Sequence, residues 1–362
     1  MNAIRNILNF SNTYELPIAR TYVRHWGMQE AVREIIQNAL DSESPFEYEF
    51  EGSELRIHSR NSHLAPETLL LGKTSKADDK DSIGSFGEGY KIALLVLARE
   101  GYDVDVLNGD RIWRPCFRYS NTFKTDVLCI EDSPAPRRNE GLSFIIGNLT
   151  PEEIAGIKNS CLYMQDNVGP IIETAFGKIL RDRRGKLYVG SLFICNTQLM
   201  FGYDVKPEFL TLERDRQTVS TFDLQMLTKD MWFDSERWEE IATLMEAETP
   251  DLSYAEYGAP QMVKEACYRL FRRKHPEGII VKDQKELEAY VEKGMTNTVY
   301  CGSPYGSIVR SHADYVAKAP AVATSPESLL RQWFSAHRGE MRKDAIVTFK
   351  LILQQASGWR FK

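Results

Sequence analysis

The chain is short of most features that would place it in a specialised class. Its longest apolar run, residues 92–98, falls far below the roughly 20 residues a helical membrane span needs. Six cysteines stand at 116, 129, 161, 195, 267 and 301 with no CxxC and no clustering, which excludes a zinc-knuckle or disulfide-framework reading. Positive charge is not in excess. Lys and Arg number 45 against 51 Asp and Glu, and the net charge of -6 argues against long-range attraction to nucleic acid or to an anionic membrane. No repeat or low-complexity tract interrupts the sequence. The opening MNAIRNILNFSNTYELP has no signal-peptide core, because Arg5 and Asn6 break it, so the expectation is a reduced, cytoplasmic protein without a membrane partner. What remains is ordinary globular composition, 43% hydrophobic and 27% charged over 362 residues, enough for two or three domains.

Periodicity predicts the elements. Residues 29–42 form an amphipathic helix with Val32, Ile35, Ile36, Ala39 and Leu40 on one face. Strands at 46–50 and 54–58 flank Gly52 and Ser53 as a hairpin. A polar loop, 73–82, holds three lysines and three aspartates, and a glycine-rich run then opens a helix over 90–100 that Gly101 terminates. Strands follow at 103–107, 111–119, 126–130 and 141–146. The order predicts an α+β sandwich with helices on one face of a mixed sheet. Thr150 with Glu153 is a helix-start signature, and 152–183 reads as mostly helical. A hairpin is expected at 186–195, helices over 221–271, a small βαβ-like unit over 278–301 and a helical tail over 326–355.

Two constellations could carry chemistry, and two further motifs are rejected. Glu34, Asn38 and Asp41 fall at i, i+4 and i+7 on one face of the first helix, opposite its apolar stripe. Such a stripe is ordinarily a solvated surface. In a functional role, the amide oxygen of Asn38 would ligate Mg²⁺ while a neighbouring carboxylate orients a water. The run Ile83-Gly84-Ser85-Phe86-Gly87-Glu88-Gly89-Tyr90-Lys91 sets glycines in a G-x-x-G-x-G pattern at a helix start, where backbone N–H groups favour an anion; its bland counterpart is a tight turn. It is the reverse of the dinucleotide fingerprint and lacks that motif's βαβ setting. Gly72-Lys73-Thr74 mimics the end of a P-loop, but Glu67 stands where the first glycine is required, so it is rejected. His58 and His63 are five apart and do not suit a metal site.

The order ExxxNxxD helix, strand and turn, lysine-bearing loop, then GxxGxG opening a helix resembles the GHKL ATPases. These include gyrase B, HtpG-type heat-shock chaperones, histidine kinases and MutL mismatch-repair proteins. Glu34-Ile35-Ile36-Gln37-Asn38-Ala39-Leu40-Asp41 is similar to the N-box of the chaperone and MutL branches, and 84–93 to the second glycine box. The resemblance covers residues 25–150 and extends more loosely to Leu210-Thr211-Leu212-Glu213-Arg214-Asp215, which is similar to the loop by which a second domain reaches the γ-phosphate. A histidine kinase fits poorly, since 33 residues before Glu34 leave no room for a phospho-accepting helix pair.

The resemblance implies a Bergerat-type nucleotide domain over 1–148, a transducer-like α/β domain over 149–222 and a mostly helical C-terminal region over 223–362. It also implies ATP and Mg²⁺ as ligands. Glu34 would polarise the attacking water and Asn38 would hold Mg²⁺, with Asp41 beside them. Gly84, Phe86, Gly87, Glu88 and Gly89 would line the phosphates, Lys76 and Lys91 would neutralise them, and Arg214 (or Arg216) would act in the transition state. One box departs from the pattern. Ser59 stands where the adenine-reading aspartate is expected, and Asn61 and His63 replace glycines; Asn61 tolerates a left-handed backbone, which would preserve the turn. The expected partners are ATP, a protein client and a nucleotide-dependent second copy. The alternatives are a nucleotide-gated interaction protein with little hydrolysis, or a DNA-associated repair or topoisomerase-like clamp. The basic clusters 181–186 and 272–274 are the features that bear on the clamp.

Overall fold

The computed structural model describes residues 11–42, 45–70, 89–211, 219–315, 330–331, 333–334, 337, 339 and 341–356. It is an α+β protein whose chain divides into two compact units. The first takes Met1–Pro170, Lys186–Asn196 and Tyr203–Thr218, and the second Ile171–Gly185, Thr197–Gly202 and Val219–Lys362.

The first unit is built on a seven-stranded sheet. Its strands are β1 (Asn12–Ala19), β2 (Glu47–Glu51), β3 (Glu54–Ser59), β4 (Asp103–Asn108), β5 (Arg111–Ser120), β6 (Thr125–Pro134) and β7 (Leu142–Gly147), in the spatial order β1-β6-β5-β4-β7-β3-β2. Every neighbouring pair is antiparallel, so the expectation of a mixed sheet is corrected. Two of the connections are two-residue turns with glycine at the first position, Gly52 between β2 and β3 and Gly109 between β4 and β5, both at positive φ. Tight turns of this kind join antiparallel neighbours, whereas parallel pairs need long crossovers.

Two helices, α1 (Met28–Leu40) and α2 (Gly89–Glu100), pack against each other and against this sheet. The core draws Ala31, Val32, Ile35 and Ile36 from α1, the run 92–97 from α2, and Leu55, Ile57, Val106, Trp113 and Leu128 from the strands. Burial of each large side chain contributes roughly 1.5–3 kcal/mol. The ends of α2 follow from sequence. Gly89 opens it, and Gly101, at φ +88, closes it, with the N–H groups of Gly101 and Tyr102 both reaching the Leu97 carbonyl.

The third helix, α3 (Pro151–Ser160), starts at the expected Thr150. Its hydroxyl accepts from the Glu153 N–H at 3.2 Å, and Glu153 accepts from the Thr150 N–H at 2.7 Å. The Tyr102 hydroxyl donates to the same carboxylate. The helical expectation for 152–183 fails beyond Ser160. The short apolar runs at 171–174 and 177–180 form a hairpin, β8 (Ile171–Thr174) with β9 (Gly177–Leu180), because Gly169, Pro170 and Gly177 break any helical path.

A second small sheet region completes the first unit. There β10 (Lys186–Val189) pairs with β11 (Leu192–Asn196) antiparallel, as expected, and with β12 (Gly202–Val205) in parallel. The β10–β11 turn needs left-handed backbone at Gly190 and at Ser191, φ +54 and +68. Buried Asp204 supports the unfavourable serine, accepting from its N–H at 2.7 Å and from its hydroxyl at 3.0 Å.

Beyond the β8–β9 hairpin, the second unit is mainly helical. It contains α4 (Thr221–Asp234), α5 (Trp238–Glu246), α6 (Gln261–Lys274), α7 (Gln284–Glu292), α8 (Tyr305–Arg310) and α9 (Lys343–Ala356). The expected βαβ unit is present: β13 (Ile279–Val281) lies parallel to β14 (Thr298–Tyr300), with α7 as the crossover. The helical tail expected over 326–355 falls partly outside the described residues. Among those described, no helix is long and apolar enough to cross a membrane.

The β3–β7 end of the sheet is set by one glycine. Gly141 sits at φ +88, and a Cβ there would overlap the Ser59 and Arg60 carbonyl oxygens. Gly141→Ala combines left-handed strain with a clash against backbone and should cost about 3 kcal/mol. Urea denaturation measures it; a loss under 1 kcal/mol would show that the turn after β3 is free to move away.

Candidate functional site

The polar stripe of α1 is not solvated. Glu34 is only 2% exposed, Arg33 and Gln37 are buried beside it, and Asn38 and Asp41 are half-buried. An ordinary amphipathic surface helix is apolar on one face and wet on the other; α1 is enclosed on both. Its polar residues therefore occupy an interior position, where each unmet charge or dipole is costly.

What encloses them includes the start of α2. Gly89 lies so close to Glu34 that a Cβ on the glycine would overlap the carboxylate oxygen Oε2, and it would stand 3.6 Å from Asn38 Nδ2. Residues 34, 38 and 89, taken from two separate motifs, thus meet at one point. The Asn38 amide nitrogen donates to the Glu34 backbone carbonyl at 2.8 Å, which directs the amide's other atom, the acceptor oxygen, away from α1's own backbone. The Arg33 guanidinium approaches Glu34 Oε1 at 4.0 Å and supplies a cation beside the buried carboxylate. An anion at the first residue of a helix also faces the positive end of the helix dipole. Asp41 caps the C-terminal end of α1, its N–H donating to the Gln37 carbonyl at 2.9 Å.

The residues flanking the glycine run are also tied together. Before it, 66–69 form a 3₁₀ turn. Tyr90 donates its hydroxyl to the Thr68 carbonyl at 2.8 Å and lies 2.9 Å from the Thr68 hydroxyl, while the wholly buried Lys91 ammonium donates to the Leu70 carbonyl. The chain that leaves at Leu70 and the chain that returns at Gly89 are thereby held side by side. Lys76, Gly84, Phe86, Gly87 and Glu88 lie outside the described residues, as do the 73–82 loop, Arg214 and Arg216.

The departed box makes a defined turn. Ser59, buried, ends β3, and its carbonyl accepts from the Ser62 N–H. Asn61, exposed, does not take the left-handed conformation expected for it, because the turn closes through Gly141 packing under residues 59 and 60 instead. Two bonds then fix the exit: buried Asn108 accepts from the Leu64 N–H at 3.1 Å and donates to the Leu64 carbonyl at 2.7 Å. His58 contacts the Ser143 hydroxyl at 2.8 Å through Nδ1, and His63 lies against Gly109, so the two histidines do not converge. Arg33, Thr68, Tyr90, Asn108 and Gly141 were not singled out from sequence. Only Asn108 carried a signal, as the residue before a Gly-Asp turn.

No family model matches this chain. Among curated proteins it is similar to an uncharacterised protein of Mycoplasma pneumoniae (strain ATCC 29342 / M129 / Subtype 1), 23% identical over 219 residues that cover 56% of this chain and 89% of the relative.

The Tyr90 anchor has a pH signature. Burial pushes its hydroxyl up to about 12, with the Thr68 bond pulling the other way. The unfolded residue ionises near 10. The anchor's contribution is therefore complete below pH 10 and lost as pH climbs toward 12. Tyr90→Phe should cost about 1 kcal/mol at pH 7. By pH 11 the wild type has itself lost about 1.4 kcal/mol through this residue, and the cost of the substitution should fall to near zero. Urea titrations of both proteins at the two pH values test this; an equal cost at both would mean that Tyr90 ionises as freely folded as unfolded.

Proposed function

We propose that the chain is a Mg²⁺-dependent ATP-binding and ATP-hydrolysing protein of the GHKL type, whose first unit is a Bergerat-type nucleotide domain. The observation that carries the reading is the meeting of Gly89 with Glu34 and Asn38. In this reading the backbone at the start of α2 receives the phosphates, as helix N-termini receive anions generally. The Asn38 oxygen would hold Mg²⁺, whose charge would offset that of the phosphates. Glu34, rigidly packed and lying within the same cluster, orients and deprotonates the attacking water. Phosphoryl transfer asks mainly for position and charge stabilisation, and this set supplies both. Lys91, whose buried ammonium donates to the Leu70 carbonyl, is the cation this reading assigns to the phosphates.

The reading carries the three-part division at 148 and 222, with 149–222 as a transducer-like region that delivers Arg214. It also carries a cytoplasmic conformational switch acting on a protein client. A second reading is nucleotide-gated binding with little turnover. Ser59 favours it, since a hydroxyl in the aspartate's place reads the base without a charge-assisted bond worth about 1.5–3 kcal/mol.

Glu34→Gln and Asn38→Ala separate the roles. The first should leave ATP binding within a few-fold and lower turnover by about a hundredfold or more. The second should abolish the Mg²⁺ dependence of binding. Calorimetric ATP titration with and without Mg²⁺, beside a phosphate-release assay, reads both. No ATP binding by the wild type ends the proposal; ATP binding with negligible turnover in the wild type selects the second reading, and substantial turnover unchanged in Glu34→Gln takes Glu34 out of the water-activating role.

A further inference from the structure

The outer face of the seven-stranded sheet carries a feature that the nucleotide reading does not use. Cys116 on β5 and Cys129 on β6 are directly opposite in the antiparallel register, in the middle of a ten-residue ladder unbroken from Arg111–Pro134 to Ser120–Thr125. Residues directly opposite in such a ladder have Cα atoms about 4.5 or 5.5 Å apart and side chains on the same face. Both spacings lie inside the range of about 4.4–6.8 Å that disulfides span. The remaining four cysteines lack such a relation: Cys161, Cys195, Cys267 and Cys301 belong to other elements or loops.

The surroundings suit a thiol pair that is reduced at rest. Cys116 is partly exposed and Cys129 buried, flanked across the sheet by Glu15 of β1. Arg118 Nη2 and Glu131 Oε1 pair at 2.7 Å next to Cys116, whose Sγ lies 3.7 Å from the same carboxylate oxygen. Burial, then Glu131, raises the Cys116 thiol above its ordinary range while Arg118 pulls it down, so a minor thiolate fraction carries the reaction and the oxidation is slow.

We propose that Cys116 and Cys129 are an oxidation site, forming a reversible cross-strand disulfide when the protein meets a peroxide. The Cys116 thiolate, the accessible one, attacks a peroxide oxygen; the O–O bond breaks, hydroxide leaves, and sulfur is oxidised to a sulfenic acid. The Cys129 thiolate then attacks that sulfur, forming the S–S bond and expelling the second hydroxide. The two thiol protons convert both hydroxides to water, so two thiols and one hydrogen peroxide give one disulfide and two waters. A bond held between two rigid, already paired strands cannot relax into its preferred geometry, and such disulfides are readily reduced by small thiols. The site does not depend on the chain binding ATP.

The test uses the full chain. Hydrogen peroxide is added to the native protein, free thiols are alkylated in denaturant, and tryptic peptides are mapped without reduction. The expected product joins fragments 112–118 and 125–137, separates on adding dithiothreitol, and is absent from Cys116→Ser, whose Cys129 is then alkylated in full, and from Cys129→Ser, whose Cys116 stops at the sulfenic acid. Oxidation that leaves both thiols alkylatable overturns the proposal. So does a crosslink that pairs either cysteine with another position or with a second molecule. Circular dichroism of the two serine variants confirms that the ladder persists, so absence of the crosslink in them reports chemistry and not unfolding.

Discussion

Much of the first unit depends on the close approach of α2's first residue to α1. A Cβ at 89 would overlap the end of the Glu34 side chain, so any residue larger than glycine there requires that carboxylate to move. That contact sets the height of α2 along α1. Height in turn decides which apolar residues of 92–97 meet Ile35, Ile36 and the sheet. Interiors are close-packed, so a shift of one helix by a fraction of a turn is not absorbed locally. The Tyr90 and Lys91 bonds to Thr68 and Leu70 then follow from the same placement, since both residues belong to the turn that Gly89 begins.

The parts of this arrangement legible in sequence were those with a strong period or a capping signal. Helix α1, helix α2 with its glycine stop, the Thr150 start and the βαβ unit of the second unit all fall where their residues indicate. Strand β1 did not announce itself, because NTYELPIA carries Pro17, and proline demotes a strand reading. The structure accommodates it at an edge of the sheet, the position where a missing N–H is tolerated. The hairpin at 171–180 was misread for a different reason: short apolar runs have no period long enough to separate strand from buried helix. In the candidate site, residue types and spacing were visible but burial was not. A polar stripe opposite an apolar one reads as solvent-facing until a second helix is laid over it.

The turn after β3 is held by residues that lie far from it in sequence. Glycines at 61 and 63 would have supplied left-handed backbone. Here the freedom comes from across the sheet, where Gly141 leaves room for the 59–60 carbonyls, and Asn108 clamps Leu64 through both its backbone groups. The turn is therefore specified by residues from β4 and from the segment before β7. Scanning a local pattern cannot find such support, since the residues that make the turn possible are some 45 and 80 positions away from it, a distance only a paired sheet closes.

Energetics separates a structural role for the Glu34 cluster from a chemical one. A carboxylate removed from water loses several kcal/mol of hydration, and a neighbouring guanidinium recovers that only when geometry is close and other bonds are complete. The 4.0 Å approach of Arg33 is a loose one, well beyond the 2.7–2.9 Å of a charge-assisted hydrogen bond. Leucine or methionine at 34 would fill the same volume without any desolvation cost, and exchanges of that kind in other buried ion pairs have been neutral or stabilising by about 1–4 kcal/mol. An acid at this position, with an amide one turn on and a glycine pressed against both, is the arrangement on which the proposed nucleotide site rests. Asn108 and Asp204, by contrast, each hold a turn through two hydrogen bonds of 2.7–3.1 Å and belong to the architecture.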